Sequence, residues 1–193
     1  MVKQILTKCV ELLNRDDILN ELKNSTSISD ITNNLIKNDV ERLINYYNFT
    51  ISNIFENYIF LEENELLLSD ENNRIYFSNF KYKPIKIKNV LNTSMSSTNY
   101  TIHTTFISTN SQYTNYNIYY NYVPNEVSDI NDEITHKNII NDKIVCYGVV
   151  SEFLASKDQY EKSEFWKDKF LFELFKLKTK KGRRLKSNFL RWK

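Results

Sequence analysis

The chain is short of the residues that usually make turns, cores and catalytic loops. Among 193 residues there are two Gly, two Pro, two Cys and two His, and a single alanine, Ala155. Two glycines, Gly148 and Gly182, leave no room for a nucleophile elbow, a P-loop or a G-x-G-x-x-G turn. Most nucleotide-binding and hydrolase classes fall away with them. A Ser/His/Asp triad needs no glycine pattern and stays open on sequence. Cys9, Cys146, His103 and His136 have no metal-ligand spacing, so the cysteines read as buried free thiols. No apolar run reaches the ~18 residues that span a bilayer, and Met1–Leu6 leads into polar residues rather than a secretory leader. The expectation is a soluble chain made in the cytoplasm, without catalysis, metal or cofactor.

Acid is lacking at one end. The formal charge is only +2, from 26 basic and 24 acidic residues. Yet residues 176–193 hold nine basic residues and no acid, which leaves 17 basic against 24 acidic in the rest. A tail of +9 on a body of −7 points to a partner for one end. What abounds is Asn, with 26, a bias that follows AT-rich codons.

Residues 2–22 carry apolar positions at three- and four-residue steps, broken at Asn14–Asp17, and predict two short helices. Ser29 or Asp30 is a candidate N-cap for a long helix with the stripe Ile31, Leu35, Ile36, Val40, Leu43, Ile44, Tyr47, Ile51, Ile54, Phe55. From Glu65 to Pro124 β-branched and aromatic residues alternate. The pattern predicts a hairpin about Asp70–Asn73, a strand over 84–91, and a second hairpin of 100–108 with 113–123. The face Tyr116, Ile118, Tyr120, Tyr122 reads as sheet lining, with base stacking as the other use of so much tyrosine. The acidic linker 125–135 could be a metal-dependent nuclease set through Asp129 and Asp132, but with no apolar frame it reads as a solvated loop.

A helix is expected over about 138–156, with Gly148 marking a close helix approach, and a last helix from an Asp158–Glu161 capping box. That last helix has two apolar stripes. Trp166, Phe170, Leu174 and Leu177 form one, and Phe165, Leu171, Phe172 and Phe175 the other. One would face its own core. The second would face a neighbouring subunit, or the helix would be central in a monomer. Gly182 is expected to end it. The tail mixes its charge with Leu185, Phe189, Leu190 and Trp192, which fits a protein-docking hook better than a disordered nucleic-acid arm.

Read in order, residues 139–192 resemble the head-to-tail adaptor (neck ring, connector) proteins of tailed bacteriophages. The matching residues are Tyr147-Gly148-Val149-Val150-Ser151-Glu152, Tyr160-Glu161-Lys162, Trp166 to Phe170, Lys181-Gly182-Arg183-Arg184 and Arg191-Trp192. Asn73–Ser78 is similar to that family's inserted β hairpin, Tyr119–Pro124 to its closing strand, and Leu43–Asn48 to the helix before the insert. Ser163 departs from the Ala usual there, and Arg191-Trp192 lacks an extra basic residue before it.

The resemblance implies an α+β chain: a helical adaptor core (N-terminal helices plus two C-terminal helices), an inserted antiparallel β domain and an extended C-terminal arm. The expected parts are 1–60 and 126–178 for the core, 61–125 for the insert and 179–193 for the basic arm. It implies a structural virion protein at the portal vertex: a homo-oligomeric ring, usually a dodecamer, that joins portal to tail or next neck ring and extends the DNA channel. Expected partners are other copies, the portal protein and the next neck or tail protein, with DNA passing through unbound and no membrane. The arm residues expected to dock on portal or neighbour are Lys180, Lys181, Arg183, Arg184, Leu185, Phe189, Leu190, Arg191 and Trp192. Phe165, Trp166, Leu171, Phe172 and Phe175 are the expected subunit interface. A tail-completion (terminator) ring protein and a nucleic-acid-binding module are the competing readings.

Overall fold

The structure, a computed structural model, describes residues 1–134 and 139–189, with side chains to residue 177. It is α+β, and it divides into two compact units, Met1–Ile54 with Glu126–Lys193, and Phe55–Asn125.

The first unit is helical. α1 (Val2–Leu13) buries Val2, Ile5, Leu6, Cys9 and Val10 along one side. It ends because Asn14 adopts the left-handed conformation (φ 53°), which caps a helix and turns the chain. α2 (Asp16–Asn24) follows, with Asp16 and Asp17 at its positive N-terminal end. The expected cap at Ser29 or Asp30 is displaced. Ser27 instead caps a short 3-10 turn, Ile28–Asp30, and Asn33 starts the long helix α3 (Asn34–Asn57) by accepting the Leu35 N–H at 3.0 Å.

α4 (Asp142–Ala155) is the central helix of this unit. It buries nine residues spread around its circumference, Val145, Gly148, Val149 and Phe153 among them. Asn141 caps it through Lys143 N–H. α5 (Tyr160–Phe189) packs along α4. The Asp158–Glu161 capping box does not form. Asp158 is left-handed (φ 58°) and its carboxylate takes the Tyr160 hydroxyl at 2.9 Å. Nor does Gly182 end the helix, whose backbone continues to Phe189. A glycine costs a helix only about 1 kcal/mol.

The acidic linker is an ordered strap rather than a solvated loop. Val2 and Lys3 N–H donate to the carbonyls of Asp132 and Ile130, and Ile130 is fully buried. Asp129 accepts from the Ser27 hydroxyl at 2.6 Å, and Asp132 from the N–H groups of Ser128 and Asp129. These carboxylates are committed to holding the strap. Among the described residues no cluster of three His, Cys, Asp or Glu could hold a metal ion.

The second unit has two three-stranded antiparallel sheets. β1 (Leu61–Leu68), β6 (Asn115–Tyr122) and β3 (Pro84–Leu91) form one, in the order β1-β6-β3. β2 (Arg74–Tyr76), β5 (Phe106–Ser108) and β4 (Thr101–Ile102) form the other, in the order β2-β5-β4. Neither expected hairpin exists. The Asp70 turn is real, with Asp70 accepting from Asn72 and Arg74 N–H, but β1 and β2 leave it for different sheets. Likewise residues 109–112 carry the chain from one sheet to the other. The sheets share one core of Ile75, Ile107, Ile87, Val90, Tyr116, Ile118 and Tyr120. The tyrosine face thus lines the core. Tyr120 donates its hydroxyl to Glu65, and burial, then that carboxylate, push its pKa far up.

Candidate functional site: the outward face of α5

The geometry of α5 begins with how closely it lies on α4. Ser151 of α4 and Ser163 of α5 are both buried, and each hydroxyl donates to the other's carbonyl, at 3.1 and 2.9 Å. Two small side chains with reciprocal bonds let the helices approach without a stranded polar group. One turn earlier on α4 is Gly148. A Cβ there would stand 2.5 Å from Thr50 Cγ2 of α3 and 3.2 Å from Phe170 Cε2 of α5. The expected close approach is therefore met on both sides of α4.

With that contact fixed, the two stripes of α5 have different fates. Phe170 and Leu174 are buried, with Trp166 and Leu177 half-buried beside them. The other stripe lies open. Phe165 is 53% exposed, Leu171 42%, Phe172 61% and Phe175 64%. Of the five residues expected at a subunit interface, four are thus exposed and Trp166 forms the margin. The central, all-round buried helix is α4, so the alternative of α5 as a monomer's core helix is not what this chain adopts.

Two lysines of α5, Lys169 and Lys176, lie over these rings. Lys169 Nζ sits 4.1 Å from the Phe165 ring centre and 4.6 Å from that of Trp166. Lys176 Nζ is 4.1 Å from Phe172 and 2.8 Å from Glu173. Their stems cover apolar surface while the charges stay wet. At the N-terminal end of α5 a groove of about 510 Å³ opens between it, the end of α1 and the end of α4. Leu12, Leu13, Leu154, Phe165 and Trp166 line it, with Glu161 and Lys162 at its polar side. Sequence reasoning missed this groove. Leu13 falls in the apolar periodicity of residues 2–22, and Leu12 falls outside it.

The arm is only partly in view. The backbone of Lys180, Lys181, Arg183, Arg184, Leu185 and Phe189 belongs to α5, while their side chains, and Leu190, Arg191 and Trp192 altogether, lie outside the described residues.

The remaining candidates have structural work. Cys9 and Cys146 are buried free thiols. Burial, then the Cys146 thiol beside it, pushes the Cys9 pKa well up, away from the reactive thiolate. His103 stacks on Phe106 with ring centres 4.4 Å apart, and His136 lies outside the described residues. No helix among the described residues is long and apolar enough to cross a membrane. No family model matches the chain, and no curated protein matches it.

Proposed function

We propose that this chain is a non-catalytic structural protein of a phage virion: a neck-ring subunit that joins the portal to the tail or to the next neck ring. The observation that carries the proposal is the open stripe Phe165, Leu171, Phe172 and Phe175 on a helix whose other stripe is already satisfied. Three phenylalanines more than half exposed along one helix face amount to a patch of the size that marks interaction sites. Repeated contacts between copies would cover it. The ordered resemblance to neck adaptors and the absence of glycine-built catalytic motifs support the same reading. The +9 tail then seeks an acidic protein surface, and the −7 remainder lets DNA pass without counterion-release binding.

The test is docking. The full chain is mixed with portal protein and co-sedimented, beside a variant that stops before Phe189. The full chain is expected to travel with portal, and the truncated one to stay behind with unchanged circular dichroism. Equal docking of both removes the arm from the account. A full chain that ignores portal removes the neck reading.

A further inference from the structure

Three of the four sheet edges in the β unit are closed to a further strand, and we infer that the fourth, β1, takes an extended segment of another protein as an added strand. β3 begins at Pro84, which has no N–H, carries Lys86 and Lys88, and shifts register twice, between Pro84 and Lys86 and between Ile87 and Asn89. Its far end is already covered, because Thr98 N–H donates to the Val90 carbonyl at 2.9 Å and Leu91 bridges Ser97. In the other sheet the edges are β2, of three residues, and β4, of two. Short strands, bulges, proline and lysine are the ordinary ways of refusing a partner strand. β1 has none of them. It runs eight residues in unbroken register with β6.

The side of β1 that points away from β6 follows from the ladder. Ser69 N–H donates to the Thr114 carbonyl at 3.1 Å, one step beyond the pair Leu68↔Asn115. Bonded residues alternate along an antiparallel strand. The main-chain groups of Glu63, Glu65 and Leu67 therefore turn to β6, and those of Glu62, Asn64, Leu66 and Leu68 to the open edge. Among the described residues no other main-chain group bonds to this row, and the Asn64 N–H is met by its neighbour's carboxylate, Glu63 Oε1, at 3.2 Å. The same four residues point their side chains outward, with Leu66 61% and Leu68 52% exposed. Water can satisfy such a row, and so can another extended backbone. Only the backbone brings side chains that also cover the two leucines.

What β1 presents sets the chemistry of the added strand. β1 carries Glu62, Glu63 and Glu65 and no cation. Glu62, on the outward side, keeps its side chain 62% exposed beside Lys88 and open to a second cation. The segment therefore has basic residues opposite the N-terminal half of β1 and apolar ones opposite Leu66 and Leu68. A second β1 does not fit. Edge-facing residues pair with edge-facing ones, and the two antiparallel registers that overlap nearly the whole strand set Glu65 against Glu65, or Glu63 against Glu65. Like charges directly opposite destabilise a sheet. β3 of another copy is closed as described, and the basic tail of another copy is helical in its backbone to Phe189. The occupant is a different protein. The inference stands apart from the neck reading, and either can fail while the other holds.

The probe is a fluorescent synthetic peptide of the length of β1, with valines alternating with threonines in its N-terminal half and lysines alternating with threonines in its C-terminal half. It is titrated onto the full chain and followed by anisotropy, with amide hydrogen exchange reading β1. Saturable binding is expected, with slowed exchange at Leu66 and Leu68. The same peptide N-methylated along its edge-facing backbone, and one with glutamates for the lysines, should each bind about tenfold more weakly or worse. Leu66→Pro removes an edge-facing N–H and no bond to β6, and should weaken binding by a similar factor at an unchanged melting temperature. Leu66→Lys with Leu68→Lys takes its place should the proline lower the melt. Equal binding of the plain and N-methylated peptides overturns strand addition. Equal binding of the glutamate peptide overturns the basic occupant, and no saturable binding of any peptide overturns the edge as a docking site. Exchange at Leu66 and Leu68 that is slow in the free chain and quickens on dilution puts a second copy on the edge and overturns the different protein.

Discussion

Gly148→Ala is the sharpest probe of the packing that exposes the α5 stripe. The added methyl would stand 2.5 Å from Thr50 Cγ2, 3.0 Å from Thr50 Oγ1 and 3.2 Å from Phe170 Cε2. Thr50 is 2% exposed and its Cβ branches into both of the atoms that are met. A branched side chain in a helix has little rotamer freedom, so rotation exchanges one clash for another. The helices must part instead. Overpacking of this kind costs about 1–3 kcal/mol, and two contacts at or below 3.0 Å place it at the upper end. Alanine for glycine inside a helix returns about 1 kcal/mol. The net expectation is a loss of about 2 kcal/mol. Trp166 belongs to the helical unit, and the sequence has no tryptophan in the β unit. Urea unfolding followed by tryptophan fluorescence therefore reports on the right unit. The midpoint should fall with an unchanged slope. Thr50→Ala combined with Gly148→Ala should recover at least ~1 kcal/mol relative to the sum of the single changes. A Gly148→Ala protein that is more stable than wild type, or a strictly additive double variant, refutes the close-approach argument.

Asp39→Asn should lower stability by about 1–2 kcal/mol in thermal melts, because this buried carboxylate meets Lys157 Nζ at 2.7 Å and Arg15 at 3.4 Å. Both cations are about a third exposed, which keeps the loss below that of a fully buried pair. Tyr120→Phe removes the hydroxyl bonded to Glu65 and should cost about 1 kcal/mol by circular dichroism melts. On acidification, Asp17, Asp30 and Asp132 act together. Hydrogen bonds from Arg15, from Thr26 with Ser27 N–H, and from Asp129 and Ser128 N–H hold these carboxyls below their ordinary 3.8. A group whose folded pKa is depressed stabilises above its unfolded value and loses that contribution as pH falls through the folded value. The melting temperature should therefore be level above about pH 5 and fall progressively below 3.8. Asp132→Ala should lower the neutral plateau and shallow the acid fall, seen in melts from pH 7 to 2.5.

How much of this could be read beforehand depended on the range of the interactions. The helices were legible because their stripes are local. The break at Asn14 and the stripe of α1 appear where periodicity puts them. Strand pairing was not, because β1 pairs β6 across about fifty residues and β2 pairs β5, while the turn between β1 and β2 looked sufficient for a hairpin. Nor was the facing of β3 legible. Its register shifts between Pro84 and Lys86 and again between Ile87 and Asn89, so Ile85 is 43% exposed while Val90 is buried. The site itself was half legible. Two apolar stripes on α5 could be counted, but both are rich in large apolar residues. Which one the core takes was decided by Gly148 and the Ser151–Ser163 contact, and these sit on or against another helix. The groove at Leu12 and Leu13 requires three helix ends to meet, and no local pattern records that.

Native mass spectrometry of the full chain, alone and with portal protein, tests the central claim most directly. The account predicts a single closed oligomer of fixed stoichiometry, free or on the portal, that disappears in the Phe172→Asp, Phe175→Asp variant. A chain that stays monomeric at every concentration and takes no place on the portal contradicts it.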